Sequence, residues 1–349
     1  MTPPRRRKRN EFPLMNIKLN LLVMAMCTAA HGAVFTNPVW RANTPDPTCW
    51  QANGGYYLTS TAGTLLKSPD LVHWRKVRKD FLAHGARARV KRDWRGIWAP
   101  DVVRIGNAWN LYVSYWNGAE NTAIAVYTSN RPEGPFTNGV IVTDGRVTGI
   151  RDTIDPEAVV DSETGKTWLF FGSVGKIHRV ELTADGRALA PGATYVHVAG
   201  LSDADPKSQP HRRRVFEGTY LHRRGGWWYL FASAGEYNNG TYAVVVGRAR
   251  RLTDDFTDRS GRLMKEGFAE TILRSRPGDR FYGPGHNGEI FTAPSGRTYM
   301  IYHCHDREVA PYREDGYNPR PLFLQEIFWD AEGWPYYETG RPVAYGEFR

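Results

Sequence analysis

The sequence is poor in cysteine, contains no metal-binding motif and has no apolar run long enough to cross a membrane. Three of its 349 residues are cysteine, and no CxxC, HExxH or Cys/His cluster indicates zinc. The apolar run near the N-terminus covers about 10 residues, whereas a spanning helix needs about 20. No Pro/Ser-rich or low-complexity linker divides the chain. These absences argue against a structural or catalytic zinc site and against a spanning helix, and they favour a single folded domain.

Residues 1–33 have the features of a signal peptide. A basic stretch precedes the apolar run from Leu21 to Ala30, and small residues near Ala33 offer a cleavage site. Met15 is an alternative start, and acylation of Cys27 is an alternative fate of the processed chain. We therefore expect a secreted or periplasmic protein.

Removal of this segment leaves an ordinary charge. The formal net charge falls from +10 for the whole chain to +5 for residues 34–349. Basic clusters remain at 87–95 and 212–214 in predicted loops, which favours solvated surface charge over a nucleic-acid site. We expect no nucleic-acid partner, no membrane span and a monomer.

A repeated pattern predicts the fold. Five times, an acidic residue or a histidine opens a short apolar strand, and a turn and an aromatic-rich strand ending in small or polar residues follow. The openings lie 55, 54, 62 and 69 residues apart, which is room for one four-stranded blade with loops. They are Asp46, Asp101, Asp155, Glu217 and His286. We predict an all-β, five-bladed β-propeller in which these residues converge on the central channel.

Two cysteines remain after processing, Cys49 in the predicted blade 1 and Cys304 in the predicted blade 5. These blades become neighbours when the propeller closes. In an oxidising compartment the two residues could form a disulfide, or they could remain buried free thiols.

Three of the axial residues have the chemistry of an inverting glycoside hydrolase. Inversion needs one carboxylic acid for the leaving oxygen and one carboxylate to activate water, about 6.5 to 9.5 Å apart. A third carboxylate nearby would hold the pKa of the acid near the working pH. Asp46, Asp155 and Glu217 can supply this set. Asp-Pro alone is common turn chemistry, but Glu217 heads an apolar hairpin where an unpaired charge would be costly, which favours a polar cavity at that position.

These residues and their surroundings resemble glycoside hydrolase family 43, in particular its arabinanase-type members. The matching motifs cover about residues 40 to 340 in the family's order and include TPDPTCW, IWAPDV, IDPEAVVDSETGKTWLFFGS, FEGTYLHRRGGWWYLF, GPGHNGEIF and FWDAEGWP. The resemblance implies a five-bladed propeller and inverting hydrolysis of plant-type pentose polymers. It also implies that Asp46 is the general base, Asp155 the pKa modulator and orienting residue, and Glu217 the general acid.

The resemblance further implies that His286 faces the axial channel, where arabinanase-type members commonly hold a calcium ion largely through water. Arg320 matches an arginine that helps to bind substrate in xylosidase-like members. The full set of candidate substrate-binding residues is Trp98, Asp101, Tyr282, Asn287 and Arg320. For Asp101 a backbone-capping role is the alternative, and for Trp98 and Tyr282 the alternative is packing.

Hydrolysis of α-L-arabinan or arabino-oligosaccharides is the leading function. Alternatives are a β-xylosidase or another furanosidase of the same family, or a non-catalytic carbohydrate-binding propeller, which would not need all three carboxylates. Long loops at 80–96, 201–214 and 304–319 would narrow one end of the cleft and favour the release of terminal sugars.

Overall fold

The structure is a computed structural model that describes Met1 and residues 33–86, 96–116, 122–201, 216–310 and 318–348. Most of the predicted signal peptide, both basic clusters and large parts of the three long loops lie outside these residues. No helix in the described part of the chain is long and apolar enough to span a membrane.

Five antiparallel sheets follow one another along the chain. Blade 1 contains β2 (Thr48–Ala52), β3 (Gly55–Thr59), β4 (Leu65–Ser68) and β5 (Arg75–Arg78). Blade 2 contains β6 (Gly96–Ile105), β7 (Ala108–Trp116), β8 (Thr122–Ser129) and β9 (Thr137–Asp144). Blade 3 contains β10 (Glu157–Val160), β11 (Thr167–Phe171), β12 (Lys176–Leu182) and β13 (Val196–Gly200). Blade 4 contains β14 (Phe216–Arg224), β15 (Trp227–Ala234), β16 (Ala243–Ala249) and β17 (Glu270–Arg274).

Blade 5 contains β18 (Phe281–Gly285), β19 (Ile290–Thr292), β20 (Thr298–Asp306), β21 (Leu322–Trp329) and β22 (Pro335–Tyr336). β1 (Ala33–Thr36) pairs with β23 (Tyr345–Phe348), so the first and last strands of the described chain meet. Helical structure is limited in the described residues to α1 (Gly145–Thr148) and a 3₁₀ turn at Met264–Glu266. The predicted all-β, five-bladed propeller is confirmed.

The first hairpin shows how local sequence sets these strands. Asn53 and Gly54 connect β2 to β3 with φ values of 51° and 70°. A two-residue turn with both residues left-handed matches the twist of the flanking strands, and Asn-Gly adopts it readily. The strands then pair from Ala52 opposite Gly55.

Apolar clusters between neighbouring blades form the core. One cluster joins blades 1 and 2 through residues such as Trp50 and Leu111, and corresponding clusters join each further pair of neighbours. Cys49 lies in the cluster between blades 5 and 1, whereas Cys304 lies in the cluster between blades 4 and 5. Both cysteines are buried free thiols, and blade 5 separates the two clusters that contain them.

The inner strands are linked around the channel by side chains. Each inner strand ends its sheet, so the N–H groups on its channel edge need acceptors from outside the blade. In every blade, one inner-strand side chain accepts an N–H from the inner strand of the next blade. The five bonds are Val102 N–H to Thr48 Oγ1 (3.3 Å), Ala158 N–H to Asp101 Oδ2 (2.9 Å), Leu221 N–H to Glu157 Oε1 (3.3 Å), Ile290 N–H to the Tyr220 hydroxyl (3.0 Å) and Cys49 N–H to Glu289 Oε2 (2.5 Å). We call this set the lower ring.

Three members of the lower ring are carboxyl groups whose charge is disfavoured. Burial raises the pKa of Asp101 to about 7, and burial together with the charge of Asp101 raises the pKa of Glu289 to about 8. The same two causes raise the pKa of Glu157 well above its ordinary value. A protonated carboxyl group still accepts an N–H through its carbonyl oxygen, so the ring does not depend on ionisation.

These pKa values predict that the protein loses stability as the pH rises. The pKa of Glu289 is about 8 in the folded protein, against about 4.3 in an unfolded chain. Protonated Glu289 therefore makes its full contribution to the free energy of unfolding below its unfolded-state pKa. That contribution is lost as the pH rises through its folded-state pKa. Glu289→Gln keeps an acceptor for Cys49 but removes the titration. We expect the melting temperature of this variant to fall less than that of the wild type between about pH 5 and about pH 9.

Glu326→Gln is the control, because Glu326 pairs with Arg297 at the protein surface. It should keep the wild-type pH dependence in the same calorimetric series. An equal loss of melting temperature in the wild type and in Glu289→Gln would contradict the assignment.

Candidate active site

The three predicted catalytic carboxylates lie at the starts of inner strands. Asp46 and Asp155 each lie two residues before the inner strand of their blade, blades 1 and 3, and Glu217 is the second residue of β14 in blade 4. All three side chains are at least partly buried. Their charges influence one another, because burial and then the negative charges of Glu217 and Asp46 raise the pKa of Asp155. The structure therefore brings the predicted trio together at one end of the channel.

Five residues with left-handed backbone mark the equivalent position in the five blades. They are Asp46 (φ 56°), Ala99 (φ 39°), Asp155 (φ 54°), Gly218 (φ 60°) and His286 (φ 44°). The prediction that Asp101 matches Asp46 in position is therefore wrong by two residues, and Glu217 is offset by one. In blade 2, a register shift between Trp98 and Asp101 places Ala99 at the bend. Asp101 lies in the lower ring instead.

The N–H groups of these five residues form a second set of contacts between neighbouring blades, which we call the upper ring. Each N–H is accepted by a side chain of the preceding blade. The bonds are Ala99 N–H to Thr61 Oγ1 (2.8 Å), Asp155 N–H to Ser114 Oγ (2.9 Å), Gly218 N–H to Asp155 Oδ2 (3.4 Å), His286 N–H to Ser233 Oγ (2.6 Å) and Asp46 N–H to His303 Nδ1 (3.1 Å). The upper ring thus fixes the backbone from which the predicted catalytic side chains project.

Asp46 is surrounded by hydrogen-bond donors. Arg320 Nη1 lies 2.9 Å from its Oδ1, and Thr61 Oγ1 lies 2.6 Å from its Oδ2. His286 Nδ1 is 3.3 Å from Oδ1. Burial acts to raise the pKa of Asp46, but the positive charge of Arg320, the neighbouring His286 and the bonds from Thr61 and Arg320 lower it below its ordinary value. Asp46 is therefore an ionised carboxylate suited to accept a proton.

Two hydroxyl groups hold Glu217. The Tyr242 hydroxyl donates to Oε1 at 2.7 Å, and Ser173 Oγ donates to Oε2 at 2.6 Å. Ser173 follows β11 of blade 3, and Tyr242 directly precedes β16 of blade 4. Both oxygens of the predicted acid are thus fixed by residues outside its own strand.

His286 is a neutral neighbour of Asp46. Burial lowers its pKa, although the charges of Asp46 and Glu217 oppose this. Its ring is therefore uncharged near neutral pH, and Arg320 supplies the positive charge beside Asp46.

A small cavity of about 20 Å³ lies on the axis, between His286 and the carboxyl groups of the lower ring. Carboxyl and amide oxygens are the ligands that calcium prefers. Asn287 Oδ1 is buried in this cavity without a hydrogen-bond partner. The volume admits about one water molecule, however. No three His, Cys, Asp or Glu side chains in the described residues are arranged to hold a metal ion. The cavity therefore does not fit a calcium ion with a full water shell.

The remaining candidate residues differ in position. Arg320 contacts Asp46 and lies over the ring of Tyr237, 4.7 Å from its centroid. Trp98 is half-buried and stacks on Trp116 with ring centroids 5.6 Å apart. Tyr282 is 4% exposed and stacks on His305 at 4.6 Å, so its ring is held by packing. Asn287 lines the small axial cavity rather than an open cleft.

Four residues that contact Asp46 or Glu217 were not predicted from the sequence. They are Thr61, Ser173, Tyr242 and His303. A signal was present for two of them. Thr61 and Ser173 follow the second strands of their blades, at the place where the repeat predicts small or polar residues. Tyr242 and His303 carried no comparable signal, because their partners are 25 and 257 residues away in the sequence.

Comparisons with known proteins agree on one family. The family described as "Glycosyl hydrolases family 43" matches residues 35–335. The chain is 29% identical to the extracellular exo-α-(1→5)-L-arabinofuranosidase ArbA of Cellvibrio japonicus, over 83% of this chain and 85% of the relative. It is 28% identical to a probable arabinan endo-1,5-α-L-arabinosidase A of Aspergillus flavus, over 90% and 97% of the two chains. The solved α-L-arabinanase of Cellvibrio cellulosa in complex with arabinohexaose is 26% identical, with a TM-score of 0.69 over 85% of this chain and 96% of that one.

The surroundings of Asp46 predict how the pH profile responds to loss of Arg320. Arg320→Met removes the positive charge that lowers the pKa of Asp46, so that pKa should rise. A base works only when deprotonated, and the acidic limb of kcat/KM should therefore move to higher pH, by about one unit. The measurement is the pH dependence of kcat/KM for the folded variant.

Arg297→Met serves as the control, since Arg297 lies at the surface and pairs with Glu326. Its acidic limb should coincide with that of the wild type. An acidic limb unmoved in Arg320→Met would show that Asp46 does not govern it.

Proposed function

The chain belongs to glycosyl hydrolase family 43, and we propose that it hydrolyses the α-1,5-linked L-arabinofuranosyl bonds of arabinan or arabino-oligosaccharides. The assignment of a general base and a general acid rests on one observation: two carboxyl groups at one end of the channel have unlike surroundings. Asp46 is held ionised by Arg320 and Thr61, whereas Glu217 is held by two hydroxyl groups. The choice of arabinan rests on the names of the relatives and on the arabinohexaose complex of the Cellvibrio enzyme.

In the proposed reaction, Asp46 removes a proton from a water molecule as the water oxygen attacks the anomeric carbon. The bonds from Arg320 and Thr61 keep the carboxylate ionised before this step. They also hold its orientation, so that the attacking water is fixed on one face of the sugar.

Glu217 gives its proton to the oxygen of the leaving sugar as the glycosidic bond breaks. Attack by water opposite the leaving group inverts the anomeric configuration. Asp155 shares the site, and burial and the charges of Glu217 and Asp46 raise its pKa. We keep the role of pKa modulator for Asp155 as a proposal. We assign Asp155 to orienting Glu217 through the Gly218 N–H, which it accepts.

We also propose that the protein is secreted. Relatives from Cellvibrio japonicus, Thermotoga petrophila and Bacillus subtilis are named extracellular, and residues 1–33 have the composition of a signal peptide. The names of the relatives include both exo- and endo-acting enzymes. The size of the first products would therefore distinguish exo action from endo action.

A hydrolysis panel tests the substrate. It contains debranched arabinan, arabinoxylan, xylo-oligosaccharides and aryl pentosides, with early product sizes recorded by chromatography. We expect turnover of debranched arabinan or of its oligosaccharides well above that of the xylosides. Preferential turnover of xylo-oligosaccharides would overturn the arabinan assignment but not the reaction class.

Loss of either proposed proton-transfer group should abolish most activity. Asp46→Asn and Glu217→Gln should each lower kcat by at least about a hundredfold, which is the range for general acid or base catalysis. Glu181→Gln is the control, because Glu181 forms an exposed ion pair with Lys166 away from the channel. Circular dichroism should show the same fold in all three variants. A near-normal kcat in either active-site variant would contradict the proton-transfer role proposed for that residue.

The calcium ion expected from the resemblance stays a prediction. We propose that such an ion would be held at His286, largely through water, and that its binding would stabilise the folded protein. Prolonged chelation should then lower the melting temperature, and added calcium should restore it. An unchanged melting temperature, together with no metal in elemental analysis, would contradict the prediction of a bound calcium ion.

A further inference from the structure

Tyr242 connects the two halves of the proposed catalytic machinery. Its hydroxyl donates to Glu217 Oε1 at 2.7 Å. Its ring lies parallel to that of His303, with centroids 5.7 Å apart and an interplanar angle of 7°. His303 Nδ1 in turn accepts the N–H of Asp46 at 3.1 Å. One pair of stacked rings therefore contacts both Glu217 and the backbone of Asp46.

The ring of Tyr242 has no room to move. Tyr242 and His303 are both fully buried. On another side, Gly285 packs so closely that a Cβ built there would lie 2.2 Å from ring atoms Cδ1 and Cε1. The glycine is needed for space, because any side chain at 285 would displace the ring. The hydroxyl is thus aimed at Glu217 by packing from blade 5.

We propose that Tyr242 is a positioning residue for the general acid, and that its hydroxyl stabilises Glu217 chiefly after the proton has left. This proposal rests on the proposed function of Glu217. A hydrogen bond to an ionised carboxylate is about twice as strong as one to a neutral group. A donor that binds the ionised product form better than the acid form lowers the barrier of the proton-transfer step.

Tyr242 and Ser173 are not equivalent in this respect. A serine hydroxyl can rotate, so Ser173 can accept the proton of Glu217 before the reaction and donate afterwards. With the proton of Glu217 on Oε2, Oε1 is a carbonyl oxygen that can only accept, so the Tyr242 hydroxyl donates to it before and after the proton transfer. Burial and the charge of Glu217 raise its pKa well above the ordinary value, so the phenol keeps its proton. Tyr242 is therefore the donor whose contribution grows as negative charge develops on Glu217.

Tyr242→Phe is the direct test, because it removes only the hydroxyl. With arabino-oligosaccharide, kcat should fall about tenfold to a hundredfold, the range for a lost hydrogen bond to a charged group. KM should change by less than about twofold, since the hydroxyl acts mainly after the substrate has bound. The alkaline limb of the pH profile should move to higher pH, because ionised Glu217 has lost a donor.

The leaving group supplies a readout that a merely structural role would not change. A nitrophenyl glycoside with the same sugar portion needs little protonation of its leaving oxygen. Tyr242→Phe should therefore lose less than about threefold in kcat on this substrate. Tyr229→Phe is the matched control: Tyr229 is a buried tyrosine of the same blade whose hydroxyl donates to the backbone carbonyl of Gly333. Its activity should change equally on the two substrates.

Gly285→Ala is the second variant should Tyr242→Phe prove too unstable to assay. It keeps the hydroxyl but displaces the ring, and it should reproduce the dependence on the leaving group. Equal losses on both substrates in the Tyr242 or Gly285 variant, or an effect no larger than that of Tyr229→Phe, would overturn the proposal. A wild type inactive on arabinosides but active on xylosides would refute the proposed substrate alone, and the same comparison with nitrophenyl xyloside would still test Tyr242.

Discussion

The structure depends on one constraint: the N–H groups on the channel edge of each inner strand have no strand to pair with. A buried N–H without an acceptor is costly, so an acceptor must come from another blade. In both rings the acceptor belongs to the preceding blade, so hydrogen bonds link each blade to the next around the channel. Hydroxyl, carboxyl and imidazole groups meet this need, and they are also the groups that catalyse proton transfer. The requirements of the fold and of the reaction thus select the same kinds of side chain at the axis.

The upper ring also explains why left-handed backbone is tolerated at four non-glycine positions. Such a conformation costs about 1 to 3 kcal/mol per residue and persists only where the surroundings enforce it. At Ala99, Asp155, His286 and Asp46 a bond from the N–H to the neighbouring blade supplies that enforcement. At Gly218 the conformation is free of side-chain strain, and the N–H bond to Asp155 is the longest of the five. Three of these four residues, Asp46, Asp155 and His286, carry polar side chains of the proposed site.

The sequence predicted the blades, and it brought the three proposed catalytic carboxyl groups to attention, because both leave local signals. Each blade repeats a strand, a turn and an aromatic strand, and Asp46 and Asp155 share the Asp-Pro pair. The same prolines show why Asp101 was misplaced: Pro47, Pro100 and Pro156 are equivalent, so Ala99 is the true counterpart of the two aspartates. The contact between Arg320 and Asp46 was not predictable, since the two residues lie 274 positions apart and meet only when the ring closes. Contacts between blades have no fixed sequence spacing.

Ring closure also produces two unlike carboxyl groups from one motif. Asp46 and Asp155 occupy equivalent backbone positions, yet the pKa of Asp46 is lowered while burial and neighbouring charges raise that of Asp155. The difference lies in the neighbours. Blade 5 closes against blade 1 and brings Arg320 to Asp46, whereas blade 4 brings Glu217 to Asp155. The same backbone position thus holds the proposed base in blade 1 and an auxiliary carboxyl group in blade 3, whereas the proposed acid Glu217 lies in blade 4. A propeller can therefore give equivalent residues opposite pKa shifts through the neighbours that adjacent blades supply, without altering the backbone that carries them.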